Sequence, residues 1–254
     1  VIGDVNFFNT GAGGLKLKNS VQNLTLETGG ALELSPITVT NKLDVKALGG
    51  VTQSGAVSVG GTSKFDAGTN AIVLGETGNQ FTGAVKVVSA SDVTLVNAGD
   101  LKLDASTMSG KLNLTTVAGE ITQLGALTVG GAAKFDTGAK SIKLELANDF
   151  KDTVSISKAA NVTLVDTGAL NLGASEITGN LALTIGGDLT QVKDDVLKVT
   201  GTTGITVDSH LLTNIKLADA NNSLSGNVTV ALAHPAANPA LESIQDFELH
   251  NTAA

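Results

Sequence analysis

Apolar and polar residues alternate along almost the whole chain in short runs, as in Leu15-Lys16-Leu17, Leu43-Asp44-Val45, Leu112-Asn113-Leu114, Ile142-Lys143-Leu144 and Ile215-Lys216-Leu217. A period of two places every second side chain on the same face, so each run predicts a short strand with one buried and one solvated side. The runs return about every 6 to 11 residues, separated by Gly, Asn, Asp, Ser and Ala. No stretch before the C-terminal region carries the 3.6-residue period of a helix. The pattern predicts an all-β chain with little helix.

The strands are ordered by an internal repeat. Val51-Thr52-Gln53-Ser54-Gly55-Ala56-Val57-Ser58-Val59-Gly60-Gly61 returns as Ile121-Thr122-Gln123-Leu124-Gly125-Ala126-Leu127-Thr128-Val129-Gly130-Gly131. Asn79-Gln80-Phe81 is echoed by Asn148-Asp149-Phe150 and Asn222-Ser223-Leu224, and Asn23-Leu24-Thr25-Leu26 by Asp92-Val93-Thr94-Leu95 and Asn161-Val162-Thr163-Leu164. The spacing is roughly 70 residues, the mark of an array that grows by stacking like units. Two complete units, 51–120 and 121–190, are expected between partial units 1–50 and 191–254, all in one array over 1–254.

An antiparallel sandwich has no need of such recurrence, whereas a parallel β-helix requires it, because strands of successive coils must pair in register. Three coils of roughly 23 residues, each with three short strands, would fill one unit. The expectation is therefore a parallel β-helix of about eleven coils with a triangular cross-section, on the order of 50 Å long at a strand spacing of about 4.8 Å. Its inward residues would include Val57, Val59, Phe65, Ile72, Leu74, Phe81, Val85, Val87, Val93, Leu95, Leu101 and Leu103. Asn79, Asn148 and Asn222 fall at one recurring turn, where an Asn adopts left-handed geometry or bridges backbone groups through its amide.

Composition fits thin stacked layers. Hydrophobic residues make up 42% of the chain but aromatics only 3%, with no Trp, Tyr or Cys, so the core must be built from Val, Leu, Ile and Ala. The 30 glycines cluster in pairs such as Gly49-Gly50, Gly60-Gly61, Gly130-Gly131 and Gly186-Gly187, which predicts sharp turns or positive φ. Net charge is −8 and no arginine occurs, which argues against a nucleic-acid partner. No apolar run approaches the roughly 18 residues of a membrane span. Val1 to Thr10 lack the basic start and apolar stretch of a signal peptide, so an export signal is expected elsewhere.

Candidate chemistry is sparse. His210, His234 and His250 show no zinc-ligand spacing, no thiol nucleophile exists, and neither a G-x-S-x-G elbow nor a P-loop appears. Polysaccharide-degrading enzymes built on β-helices use clustered carboxylates, which singles out Asp66, Glu120, Asp136, Asp194 and Asp195. Asp66 and Asp136 are equivalent positions of the repeat, however, and a reaction needs one asymmetric constellation. Asp194-Asp195 and the turn Asp219-Ala220-Asn221 offer oxygen ligands for calcium, against the plainer reading of solvated turn carboxylates. Outward threonines such as Thr94 and Thr163 alternate with Lys, Asn, Asp and Ser and make no flat ice-binding face. No catalytic, cofactor or metal residue is assigned.

The block Thr122-Gln123-Leu124-Gly125-Ala126-Leu127-Thr128-Val129-Gly130-Gly131, with Asn148-Asp149-Phe150, Asn161-Val162-Thr163-Leu164 and Leu170-Asn171-Leu172-Gly173-Ala174-Ser175, resembles the repeats of filamentous-haemagglutinin-like bacterial exoproteins. The similarity spans most of residues 23–230. It implies a right-handed β-helix from a large two-partner-secreted adhesin, on the bacterial outer surface or extracellular. The protein is then expected to be a stiff, non-enzymatic stalk whose loops meet a host or neighbouring cell surface or a matrix component. The rival is a subunit that assembles with copies of itself into a filament, sheath or surface layer. The pattern breaks between Val230 and Phe247, where an inserted loop near 234–245 makes His234, Pro235, Asn238, Pro239 and Glu242 the candidate interaction residues, against the reading of a plain loop.

Overall fold

A computed structural model describes residues 2–9, 13–15, 20–209, 212–233 and 244–253. They form two compact units, 1–130 and 131–254. Each is a stack of parallel strands, and no helix occurs among the described residues. Within each unit the strand pairings among the described residues are parallel, as the β-helix expectation requires.

In the first unit one ladder climbs through Val5–Asn9, Val21–Thr28, Ile37–Ala47, Ser63–Asp66 and Val85–Ser89. The facing ladder climbs through Gly13–Leu15, Leu32–Leu34, Val51–Gln53, Ile72–Leu74, Val93–Asn97 and Leu112–Thr116. Short third pairings join Val57–Val59 to Gln80–Phe81 and Ser106–Met108 to Leu127–Val129. In the second unit one ladder holds Ile142–Phe150, Val162–Asp166, Leu181–Ile185, Thr203–Val207 and Val228–Leu232. The other holds Ala133–Asp136, Thr153–Ala159, Leu170–Ile177, Leu189–Gln191, Thr213–Leu217 and Ile244–Leu249.

The alternation read from the sequence sets the register. Leu24 lies over Leu43 and Leu26 over Val45, and all four are buried. The twelve residues expected to point inward are each at most 4% exposed. Phe65 and Phe81 meet edge to face at 6.1 Å in the first unit, and Phe135 and Phe150 repeat that contact at 6.1 Å in the second. Outward positions carry the charges, with Lys46 on Glu27 at 2.8 Å and Lys64 on Asp44 at 3.3 Å between neighbouring coils.

Coil length differs from the expectation. Val5 pairs with Leu24, Leu24 with Leu43, Leu43 with Ser63 and Ser63 with Val85, steps nearer 20 residues than 23. A repeat of about 70 residues therefore spans about three and a half coils, not three, and the coil count departs slightly from eleven. The extra half coil moves equivalent strands to opposite ladders. Val21–Thr28 and its repeat Val93–Asn97 lie in different ladders of the first unit, as do Thr153–Ala159 and Val228–Leu232 in the second. Apolar residues still stack on apolar residues, but not on their own repeat equivalents.

The glycine pairs serve close approach more than positive φ. A Cβ on Gly60 would lie 2.5 Å from the Thr40 carbonyl oxygen in the coil beneath, although Gly50 does take φ +98°.

Candidate functional site

The recurring turn asparagines are the most elaborated polar positions in the structure. Asn79 is fully buried. Its Oδ1 accepts from the Val57 backbone N–H at 2.9 Å and from Gln53 Nε2 at 2.8 Å. Its Nδ2 donates to Gln53 Oε1 at 3.0 Å and to the carbonyls of Leu74 and Val96, both at 3.2 Å. The two amides thus hold each other reciprocally, and Gln53 Nε2 also donates to the Gly55 carbonyl at 2.7 Å. In the second unit Asn222 and Gln191 repeat the arrangement, at 2.7 and 2.9 Å, with Leu197 N–H donating to Asn222 Oδ1 at 2.8 Å. Asn148, also fully buried, donates to the Leu144 carbonyl at 3.2 Å and the Val165 carbonyl at 3.1 Å. All three bridge backbone groups; none is left-handed, since Asp194 is the one non-glycine with positive φ among the described residues.

A second buried position caps the same turn. Asn97 Oδ1 accepts from the Phe81 N–H at 2.8 Å, and its Nδ2 donates to the carbonyls of Asp100 at 2.7 Å, Gly99 at 3.1 Å and Phe81 at 3.5 Å. Asn251, exposed rather than buried, makes the same pair of bonds to Leu224, accepting at 2.8 Å and donating at 3.0 Å. The middle copy has Asp166 instead. Its Oδ1 accepts from the Phe150 N–H at 3.0 Å, but its Oδ2 is buried without a partner. Burial pushes this carboxyl up to about 6, with the nearby Asp149 carboxylate adding to the rise against the opposing Phe150 and Gly168 N–H groups and Lys151.

The carboxylates singled out from the sequence lie at strand ends, as Asp66 and Asp136 do, or between strands. Asp66 Oδ1 accepts from Gly68 N–H at 3.1 Å and Ser89 Oγ at 2.7 Å, and Asp136 Oδ1 accepts from Gly138 N–H at 3.0 Å. Glu120 donates its backbone N–H to Asp100 Oδ1 at 2.9 Å. Asp194 and Asp219 line one shallow groove of the second unit, where Asp219 Oδ1 accepts from Asn221 N–H at 2.9 Å; Asp195 donates its own N–H to the Val192 carbonyl at 3.2 Å. Among the described residues no three His, Asp or Glu side chains gather to hold a metal ion. His250 stands 3.6 Å from Glu248 on the surface.

His210, His234, Pro235, Asn238, Pro239 and Glu242 lie outside the described residues. The flanks of the inserted segment are described. Thr203–Val207 and Val228–Leu232 belong to one ladder, and Thr213–Leu217 and Ile244–Leu249 to the other. Ile244–Leu249 begins inside the span expected for the loop and pairs with Thr213–Leu217, placing Phe247 beside Ile215.

Gln53, Gln191, Asn97, Asp166 and Asn251 were not among the residues singled out from the sequence. A signal for the glutamines is there in Val51-Thr52-Gln53, Ile121-Thr122-Gln123 and Leu189-Thr190-Gln191, one Thr-Gln step at the end of the same short strand. For the cap it is Leu95-Val96-Asn97 against Leu164-Val165-Asp166.

A family model described as repeats of unknown function (DUF5649) matches residues 21–88, 90–157 and 159–231. No curated protein and no solved structure matches the chain.

Proposed function

The chain belongs to the family of repeats of unknown function (DUF5649), and from that premise we propose that it is a structural, non-enzymatic segment of a bacterial cell-surface or secreted exoprotein, a stiff stalk that presents loops to a surface or matrix. The observation that carries this reading is the direction of the recurring polar groups. Gln53 with Asn79, and Gln191 with Asn222, are turned inward and bonded to backbone of neighbouring coils. Here they tie coil to coil, which suits a part whose work is stiffness. Asp66 and Asp136 likewise bond to their own turns, which supports a role without catalysis. The candidate contacts with partners are in the inserted segment near 234–245, with weak contacts summing along repeats.

The test has two readouts. Antibody labelling of intact producing cells is expected to detect the protein without permeabilisation. Sedimentation of the purified chain at high concentration is expected to give a monomer. Labelling only after permeabilisation would remove the surface role, and spontaneous fibres or sheets would put the self-assembling subunit in its place.

A further inference from the structure

The middle copy of the cap differs from its relatives by one atom's chemistry. Asn97 offers an acceptor to a backbone N–H and a donor to three backbone carbonyls, and Asn251 an acceptor to the Leu224 N–H and a donor to the Leu224 carbonyl. Asp166 retains the acceptor, at 3.0 Å from the Phe150 nitrogen. Asn97 donates its amide NH₂ to the carbonyls of Phe81, Gly99 and Asp100, whereas the second carboxyl oxygen of Asp166, Oδ2, is buried without a hydrogen-bond partner. The backbone around the two caps matches: Ala98 N–H donates to the Asn79 carbonyl at 2.8 Å, and Thr167 N–H to the Asn148 carbonyl at 2.8 Å. The carbonyls corresponding by sequence to Asn97's partners are those of Phe150, Gly168 and Ala169.

The Phe150 and Gly168 N–H groups favour the ionised carboxylate, but toward carbonyls it has only lone pairs to offer, so burial outweighs them and favours the protonated form. Asp166 is 1% exposed, so its carboxyl is shielded from bulk solvent and the ions in it. One added proton turns Oδ2 into the donor that the Asn amide supplies elsewhere.

We propose that Asp166 is a proton-operated latch of the second unit: neutral, it donates from Oδ2 to the turn carbonyls and closes the cap over Phe150, and on losing that proton it loosens the turn 166–170 and the coil below. The ionisable groups around it leave the proton as the controlling charge. Asp149, on the strand below, is paired with Lys151 of the following turn at 2.7 Å, with Asp152 next to it. The strand below also carries Lys143 and Glu145; the strand above, Leu181–Ile185, and residues 167–169 carry no charge, and the turn above brings Asp188, whose carbonyl accepts from the Leu170 N–H at 2.8 Å. The raised pKa of the buried acid is the expected companion of this geometry. Because the folded carboxyl titrates near 6 and the unfolded one near 3.8, the stabilisation is complete below 3.8, falls as pH rises between the two values, and is absent above 6.

The test is hydrogen exchange and thermal unfolding of the full chain between pH 4.5 and 8, with the intrinsic pH dependence of exchange removed. In the wild type the opening constant of the segment around Phe150 and Gly168 is expected to rise by up to about a hundredfold as the group ionises. Asp166→Asn should hold it closed throughout, and Asn97→Asp should give the first unit a pH dependence of its own. An infrared band of a protonated carboxyl, lost in Asp166→Asn, identifies the species. Equal pH profiles for wild type and Asp166→Asn, or closure that follows added sodium or calcium instead of protons, would overturn the proposal.

Discussion

Asn79 illustrates how much one side chain holds. It accepts from Val57 and Gln53, and donates to Gln53, Leu74 and Val96, thereby joining three levels of the stack. Asn79→Ala would leave a backbone N–H, two carbonyls and the Gln53 amide short of partners where water does not reach. Each such group costs about 1–3 kcal/mol, partly relieved by relaxation, so a loss of about 3 kcal/mol is expected in urea unfolding. A loss below about 1 kcal/mol would show that the amide pair is incidental. The recurrence of Asn79, Asn148 and Asn222 was legible because the three lie in one repeated triplet, although Asn148 falls inside the strand Ile142–Phe150 and not in a turn. Its partner was not. Gln53 is 26 residues away and Gln191 is 31 from Asn222, so no fixed spacing in the chain announces the pair. Asp166 was hidden for a different reason: an Asp at a turn ordinarily reads as solvated, and only its burial makes it unusual.

Strands and turns were easier to read than the coil that joins them. Period-two alternation decides which side chain faces inward whatever the coil length, which is why Val57 to Leu103 fell on the buried face as expected. Coil length depends on where turns tighten. Register shifts at Val87/Ser89 and at Asn23 change the step between coils, and nothing in the alternation reports them. The glycines divide in the same way. Gly60 precedes a turn and passes directly over Thr40, whereas Gly204 lies on the outward side of the strand Thr203–Val207, where an added Cβ would find its nearest atom at 3.7 Å. Gly60→Ala is expected to cost about 1–3 kcal/mol through overlap with the Thr40 carbonyl. Gly204→Ala should stabilise by about 0.5–1 kcal/mol by restricting the unfolded chain. Opposite signs in paired denaturation curves confirm the assignment, and two losses of equal size would refute it.

At the scale of the molecule, a repeat that spans a half-integral number of coils has a consequence for presentation. Equivalent outward residues such as Thr25 and Thr94 belong to different ladders of the first unit, so successive repeats show like surface to opposite sides. Such a stack is uniform in its interior and alternating on its exterior. The interior links are local. Asn79 reaches one coil down to Gln53 and one coil up to Val96, and backbone ladders connect only adjacent coils. Stability should then follow a nearest-neighbour rule, in which a weakened coil loosens its neighbours and the effect fades along the stack. In Asn79→Ala, hydrogen exchange is expected to accelerate most across 51–103, less across Val21–Thr28, and not measurably across Val162–Asp166 or Leu181–Ile185. A uniform acceleration over all these segments would mean that the chain opens as one cooperative body, and the coil-by-coil account of its stiffness would have to be abandoned.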